Sequence, residues 1–173
     1  SDLANLCFTP GHECNFQCRY CFAQSGKTYD SNKRCFHDED VEITLDYFFT
    51  KLFPNARRYR IDFVSGGEPL LYFHTIKRTV EISEAFQEKS GKSVQIWLCT
   101  NGSLLTEEIV KYLDAHNISI GISIDGGKDT HDSNRIYKNG AGTYDDVYNG
   151  LCRLLATPNV SNKIKHVWGL CVI

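Results

Sequence analysis

The stretch Cys14-Asn15-Phe16-Gln17-Cys18-Arg19-Tyr20-Cys21 holds three cysteines within eight residues, in the spacing C-x3-C-x2-C. Thiolates placed this closely on one loop are typical ligands of iron–sulfur clusters or of zinc. A four-iron cluster held by only three thiolates keeps one iron without a protein ligand, and that iron is open to an external molecule. The spacing therefore indicates chemistry at a cluster rather than a purely structural role.

A structural zinc site is the alternative interpretation of these three cysteines, because zinc prefers four nitrogen or sulfur ligands. Cys35 or His12 would supply the fourth ligand. Zinc sites more often pair their cysteines as C-x2-C, which favours the cluster. The remaining four cysteines fall in predicted strands or a predicted helix, where we expect them to pack as small buried apolar side chains. They are Cys7, Cys99, Cys152 and Cys171.

Composition places the 173-residue chain among globular proteins with a single domain spanning residues 1–173. Apolar residues make up 42% of the chain, and the net charge is −2. No basic run is present, so nothing in the charge pattern supports nucleic-acid binding. No apolar run approaches the roughly 20 residues of a membrane helix. We expect a cytoplasmic protein, since a reducing compartment keeps a cysteine cluster available for metal.

Strand-like and helix-like segments alternate along the chain, which predicts an α/β fold with a parallel sheet and right-handed crossovers. Apolar residues recur at helical spacing in four segments, and short apolar or alternating runs mark five strands. The predicted helices are 41–53, 73–88, 106–116 and 144–156, with Thr106 at the start of the third. The predicted strands are 5–9, 59–64, 94–99, 118–124 and 165–173.

The unusual motifs all follow predicted strands. They are the cysteine triplet, Gly66-Gly67-Glu68-Pro69, Thr100-Asn101-Gly102 and Ser123-Ile124-Asp125-Gly126. The carboxyl ends of parallel strands meet at one edge, which carries the site in barrels and open sheets. A complete eight-unit barrel usually needs about 250 residues, so we expect a partial barrel; the family resemblance described next implies a partial (β/α)6 TIM-like barrel. Trp97 and Trp168 are expected in the core.

Together these motifs resemble the radical S-adenosylmethionine superfamily. The triplet with Tyr20 before Cys21 is similar to its cluster signature, and Gly66-Gly67-Glu68-Pro69 is similar to its GGEP motif. The Thr100 and Ser123 motifs, followed by His131 and Arg135, resemble a narrower branch. That branch contains the anaerobic sulfatase maturases and the peptide-modifying enzymes with a SPASM-type C-terminal domain. Ser65 departs from the Gln or His that many relatives carry before GGEP.

The resemblance implies a [4Fe-4S] cluster on Cys14, Cys18 and Cys21, and reductive cleavage of S-adenosyl-L-methionine to a 5′-deoxyadenosyl radical. It implies cofactor contacts by the aromatic ring of Tyr20 near adenine, by Arg135 at the methionine carboxylate and by Ser123. The other implied contacts are Gly66, Gly67, Glu68 and Asn101. Without this resemblance, Arg135 reads as a solvated side chain beside Asp129 or Asp132, and Asp125-Gly126 as a turn.

The branch implies a peptide or protein substrate, a reducing electron donor, and thioether cross-linking or formylglycine-type oxidation. A radical enzyme of small-molecule cofactor biosynthesis is the enzymatic alternative, and a zinc-binding structural module is the non-catalytic one. We expect the chain to be the N-terminal part of the barrel, without the cysteine-rich C-terminal domain of the branch. No catalytic base is assigned, because in the branch it lies in that missing part.

Overall fold

The computed structural model describes residues 2–24 and 36–157. Four strands form one parallel sheet in the sequential order β1-β2-β3-β4. The strands are β1 (Leu3–Phe8), β2 (Arg58–Phe63), β3 (Ser93–Thr100) and β4 (Ser119–Ile122). They confirm the first four predicted strands, with ends that differ by one to two residues. The predicted fifth strand, 165–173, lies outside the described residues.

Three helices connect the four strands and two more follow β4; they confirm the four predicted helices and add one. In chain order they are α1 (Asp38–Tyr47), α2 (Phe73–Ser90), α3 (Glu107–Ala115), α4 (Lys128–Asn134) and α5 (Tyr144–Leu155). A π-helical turn over Phe48–Leu52 continues α1, and a 3-10 turn over Pro69–Tyr72 precedes α2. The sequence did not predict α4, because its residues KDTHDSN carry no apolar periodicity. Within the described ranges, no helix has the length and apolar character needed to cross a bilayer.

Local chemistry sets several helix ends. The side chain of Thr106 accepts a hydrogen bond from the Ile109 amide at 3.2 Å, which confirms it as the N-cap of α3. At the other end of a helix, α2 stops at Gly91, whose φ of 67° lies in the left-handed region that glycine adopts without strain. The cap of α3 sets where the loop after β3 ends, and the stop of α2 sets where the loop before β3 begins.

The sequential strand order identifies the sheet as a sector of a barrel. Right-handed crossovers between strands that follow one another in space put every connecting helix on the same face of the sheet. A doubly wound sheet would instead reverse its order and carry helices on both faces. The prediction of an α/β, partial TIM-like barrel is confirmed for the described residues.

The two faces of the sheet differ in chemistry. Residues of one face, including Tyr59, Ile61, Phe63 and Leu98, are buried in the core against the helices. The side chains that alternate with them point to the opposite face, the concave side of the barrel sector. We call this opposite surface the polar face; it comprises Asn5, Cys7, Arg60, Asp62, Trp97 and Cys99.

Several expectations about cysteine and tryptophan are corrected here. Cys7 and Cys152 are exposed rather than buried, because Cys7 lies on the polar face and Cys152 on the outer side of α5. Cys99 is half-buried. Trp97 is likewise half-buried, and lies on the polar face rather than in the core, with its ring against Gly121. Cys35, Cys171 and Trp168 lie outside the described residues.

Candidate functional site

The three cysteines of the triplet lie on the loop that follows β1. Residues 9–24 form this loop, which we call the cysteine loop, and its three thiols are free and half-buried. The pKa of Cys14 is raised to about 11, mainly by burial and in smaller part by the nearby Glu68, Cys18 and Cys21, against the lowering effect of the hydrogen bond from the Phe16 amide. The pKa of Cys18 is also raised by burial. A bound cation is what would convert such thiols to thiolate ligands.

The glycine pair at the end of β2 lies against the first part of the cysteine loop. The Gly67 amide donates to the Gly11 carbonyl at 3.2 Å, and the Glu68 amide donates to the Glu13 carbonyl at 2.7 Å. A Cβ on Gly67 would overlap the backbone of Glu13, and Gly66 has a φ of 75°. Glycine is therefore needed for contact with the chain's own loop, a reason that the sequence did not reveal.

The carboxylate of Glu68 is buried and has three donors from the chain itself. Oε1 accepts from the Leu70 amide at 3.1 Å and from the Thr100 hydroxyl at 2.6 Å, while Oε2 accepts from the Asn101 amide at 2.7 Å. Burial raises the pKa of Glu68 to about 6, against the lowering effect of these donors. This side chain joins the ends of β2 and β3; direct contact between Glu68 and a cofactor stays a prediction.

Asn101 joins the end of β3 to the cysteine loop. Its amide nitrogen donates to Asn15 Oδ1 at 2.8 Å, and Asn15 in turn donates to the hydroxyl of Ser103 at 2.9 Å. The Ser103 hydroxyl closes the ring by donating to Asn101 Oδ1 at 2.7 Å. The sequence predicted Asn101 at the site but not Asn15, which lies between Cys14 and Cys18 in the sequence.

The segment after α4 pairs with the cysteine loop as a short antiparallel ribbon. The Gln17 amide donates to the Ile136 carbonyl at 2.7 Å, and the Arg19 amide donates to the Asn134 carbonyl at 2.9 Å. The buried ring of Phe16 also packs edge-on against Tyr137, with 5.1 Å between centroids. Arg135 is part of this ribbon, and thus lies beside the loop that carries the thiols.

Asp125 is the charged centre of the site. Its fully buried carboxylate accepts a 2.6 Å hydrogen bond from the Tyr20 hydroxyl and forms an ion pair with Arg135 Nε at 3.0 Å. That ion pair does not have hydrogen-bond geometry. Asp125 Oδ1 and Arg135 Nε are therefore buried polar atoms without a hydrogen-bond partner among the described residues. The Arg135 guanidinium also lies 5.3 Å from the Tyr20 ring centroid.

These contacts revise the expectations for this region. Arg135 is buried and pairs with Asp125, so it is not a solvated partner of Asp129 or Asp132. Asp125 does more than close a turn, although Gly126 beside it has a turn-like φ of 76°. The sequence signal that would have found Asp125 is its position directly after β4, on the edge where the other motifs meet.

His131 connects the Asp125 backbone to Thr143 through hydrogen bonds of its ring. Its ring is buried, Nδ1 accepts from the Asp125 amide at 3.3 Å, and Nε2 lies 3.0 Å from the Thr143 hydroxyl. Thr143 donates its only hydroxyl proton to the Arg135 carbonyl at 2.8 Å, so His131 Nε2 is the donor between them. Burial lowers the pKa of His131, and the charge of Arg135 lowers it further. His131 is therefore a neutral histidine with a structural role, since one ring nitrogen accepts and the other donates a hydrogen bond.

Ser123 and the three thiols complete the set of predicted site residues. Ser123 is half-buried at the end of β4, with its hydroxyl 3.9 Å from the sulfur of Cys99. All predicted residues thus lie at the carboxyl edge of the sheet. Gly67, Glu68, Asn101 and the ribbon that contains Arg135 contact the cysteine loop, whereas Ser123 contacts β3. Within the described residues, no three His, Cys, Asp or Glu side chains surround a single ion. Thiolates that bind different irons of one cluster need not meet at a point, so the soft donor set fits a cluster.

Comparison with known proteins agrees with this arrangement. The family model described as the Radical SAM superfamily matches residues 8–157. An uncharacterized protein of Methanocaldococcus jannaschii is 31% identical over 150 residues, covering 86% of this chain and 48% of that protein. A serine-type anaerobic sulfatase-maturating enzyme of Bacteroides thetaiotaomicron is 29% identical over 145 residues, covering 82% of this chain and 34% of the enzyme. The chain thus spans less than half the length of these relatives.

Solved structures share the fold. Native anSMEcpe with bound AdoMet superimposes with a TM-score of 0.76 at 25% identity, covering 88% of this chain and 40% of that one. The same protein with bound AdoMet and the Kp18Cys peptide gives a TM-score of 0.75 at 27% identity, covering 87% and 40%. The sector described above therefore corresponds to part of a larger barrel protein.

Proposed function

This chain belongs to the radical SAM superfamily, and on that premise we propose that it is the cluster-binding part of an enzyme that modifies a peptide or protein side chain. Cys14, Cys18 and Cys21 would hold a [4Fe-4S] cluster. The cluster, when bound and reduced by an electron donor, supplies reductive cleavage of S-adenosyl-L-methionine to a radical that removes hydrogen from the substrate. We propose a cytoplasmic enzyme whose product is a thioether cross-link or a formylglycine-type oxidation.

The observation that carries this proposal is the attachment of one three-thiol loop to every other motif at the sheet edge. Glu13 is bound by Glu68, Asn15 by Asn101, and Tyr20 by Asp125. A reactive intermediate needs a rigid site that holds its partners at short range. These contacts supply that rigidity through the chain's own residues.

Arg135, Tyr20 and Ser123 are the residues we propose to hold S-adenosyl-L-methionine. The Arg135 guanidinium is buried, and its Nε lacks a hydrogen bond to any residue that the structure describes, which suits it to a carboxylate. Tyr20 exposes part of its ring beside Arg135, as an adenine contact requires. The backbone of Gly66 and Gly67 and the amide of Asn101 are the proposed polar contacts around them, with Glu68 positioning the two strand ends.

The peptide substrate class is supported by relatives rather than by a contact in this molecule. Relatives include anaerobic sulfatase-maturating enzymes and a radical SAM cyclopropyl synthase from Paramaledivibacter caminithermalis, 28% identical over 131 residues, which covers 69% of this chain and 26% of the synthase. A structure of anSMEcpe contains the Kp18Cys peptide. The maturation of sulfatases and the bound peptide support a peptide or protein substrate for this chain, and its exact reaction is part of the proposal.

Anaerobic reconstitution tests this function. We expect protein treated with iron and sulfide to bind both, and to release 5′-deoxyadenosine after addition of dithionite and S-adenosyl-L-methionine. Cys18→Ala should abolish cluster loading and cleavage, whereas Cys152→Ala, at an exposed thiol on α5, should change neither. One zinc per chain without labile sulfide in anaerobically prepared wild type would contradict the proposal.

A further inference from the structure

The polar face of the sheet has a composition that an ordinary barrel interior does not have. Interiors of closed (β/α) barrels are filled by layers of branched apolar side chains. Here the concave side instead carries Asn5, Arg60, Asp62 and Trp97 from three neighbouring strands. Charged and amide groups on this side are expected where the interior receives a polar ligand.

These side chains form one connected unit. Asn5 donates its amide to Asp62 Oδ2 at 3.1 Å, and Arg60 Nε donates to Asp62 Oδ1 at 2.5 Å. The Arg60 guanidinium carbon lies 5.5 Å from the Trp97 ring centroid. Asp62 is 6% exposed, so its charge is almost wholly directed to Arg60 and Asn5. Arg60 is therefore held on two sides, by a carboxylate and by an aromatic ring.

Trp97 is fixed in its place by the strand beside it. A Cβ on Gly121 of β4 would lie only 2.9 Å from the Trp97 ring, so the absence of a side chain there leaves room for the indole beside β4. The register pairs Trp97 with Asp62 on one side and with Ser119 on the other. The indole ring therefore lies between β4 and Arg60.

The outer end of the Arg60 guanidinium is unused within residues 2–24 and 36–157. Only Nε bonds to Asp62, and the two terminal nitrogens have no partner in that part of the chain. The side chain is 40% exposed, so these donors are accessible. Two parallel N–H groups of a guanidinium match the two oxygens of a carboxylate.

The position of Arg60 and Trp97 along their strands sets how far a ligand would extend from the cluster site. Arg60 lies three residues before the end of β2 at Phe63, and Trp97 lies three residues before the end of β3 at Thr100. At about 3.3 Å per residue, both lie about 10 Å along the strands from the sheet edge. An extended peptide covers that distance in about three to four residues.

We propose that Arg60, oriented by Asp62 and Trp97, binds a carboxylate side chain of the peptide substrate, within about four residues of the modified residue. This inference rests on the proposed function and adds a specificity determinant to it. The occupant is an acidic peptide, because the accessible groups of Arg60 are positively charged hydrogen-bond donors. The neighbouring Asp62 is already bonded to Asn5 and Arg60.

A binding competition on reconstituted protein tests this inference. Immobilised holoprotein with S-adenosyl-L-methionine is exposed to short synthetic peptides centred on one Cys or Ser. One set carries a single Glu within four residues of that centre, and a matched set carries Gln at the same position. Retained peptides are counted by mass spectrometry. We expect wild type to retain the Glu set about tenfold better, as a charge-assisted bidentate contact would give.

Arg60→Gln should remove this preference, and Trp97→Leu should weaken it, while both keep wild-type affinity for S-adenosyl-L-methionine as evidence of folding. The matched control is Arg58→Gln, at an exposed residue paired with Asp2 at 3.3 Å, which should keep the preference. Equal retention of both sets by wild type, or an intact preference in folded Arg60→Gln, would overturn the inference alone. Retention of no peptide by protein that cleaves S-adenosyl-L-methionine would overturn it together with the proposed substrate class.

Discussion

The hydroxyl of Tyr20 donates a 2.6 Å hydrogen bond to the carboxylate of Asp125, although 105 residues separate them in the chain. Tyr20 lies in the cysteine loop, and Asp125 follows β4. The same carboxylate lies 3.0 Å from Arg135 Nε. One buried side chain thus positions an aromatic ring and a guanidinium that we propose as contacts of the same cofactor.

Replacing that carboxylate should weaken cofactor binding. We expect Asp125→Asn to raise the Kd of reconstituted protein for S-adenosyl-L-methionine by about tenfold, because Arg135 loses its buried counter-charge and the acceptor of the Tyr20 hydroxyl becomes neutral. Equilibrium dialysis measures the Kd, and thermal unfolding measures the accompanying loss of stability. Asp129→Asn, at an exposed residue in the first turn of α4, is the control and should change neither. Wild-type affinity in Asp125→Asn would disprove the positioning role.

A methyl group at the second glycine of the pair should displace the cysteine loop. The Cβ of Gly67→Ala would overlap the backbone of Glu13, which cannot rotate away as a side chain can. We expect a loss of about 1–3 kcal/mol in the free energy of unfolding, and less iron bound per chain. Urea unfolding and iron analysis measure the two effects.

The matched control for this change is Gly127→Ala, where an added Cβ meets nothing within 4 Å among the described residues and φ is −73°. The preference of an N-cap position for glycine over alanine applies there, and we expect it to cost about 0.5–1 kcal/mol. If both variants lost the same stability, close approach to Glu13 would not be the reason for Gly67.

Stability should fall as the pH drops below the ordinary histidine range, because of His131. Its pKa is lowered by burial and by Arg135, against the opposing charges of Asp125 and Asp132, and Lys128 also lowers it. The folded state therefore binds this proton less readily than the unfolded chain. The stabilisation is fully present above about pH 6.5 and is lost as the pH falls towards the lowered value.

Urea midpoints between about pH 5 and 8 measure this dependence. His131→Gln should flatten the profile, and His131→Asn provides a second variant should the longer amide disturb packing. The exposed His74→Gln should keep the wild-type profile. A profile that is unchanged in folded His131 variants would assign the acid sensitivity to other groups.

Ser65 has a strained backbone that glycine would relieve. Its φ of 73° lies in the left-handed region, and its side chain is exposed. We expect Ser65→Gly to raise the free energy of unfolding by about 1 kcal/mol, less the added entropy of the unfolded chain. Ser65→Ala removes the same hydroxyl but keeps the Cβ, so it should give no gain. Equal stability of the two variants would show that the backbone here is not strained.

The sequence predicted the framework of this molecule well, because each element has a local signal. Helical spacing and Thr106 as a cap required no knowledge of distant contacts. The motifs at the strand ends predicted the position of the site for a topological reason, since parallel strands end at one edge. The helix α4 was missed because short polar helices lack periodicity.

The contacts within the site were not predictable in the same way. Asp125, Asn15 and His131 matter through partners that are between 6 and 105 residues distant in the chain. A turn sequence such as Asp125-Gly126 has the same local chemistry whether or not its carboxylate is buried. The exposed Cys7 shows a related limit. The alternation of side chains along a strand predicts that its two faces differ, but it does not predict which face is concave.

The attachment points of the cysteine loop also set an order of events during synthesis. Its three thiols leave the ribosome more than a hundred residues before the segment near Tyr137 that also holds the loop. Until that segment has been made, these contacts of the loop cannot form. We therefore expect productive cluster insertion to follow the folding of β4 and of the segment up to Tyr137.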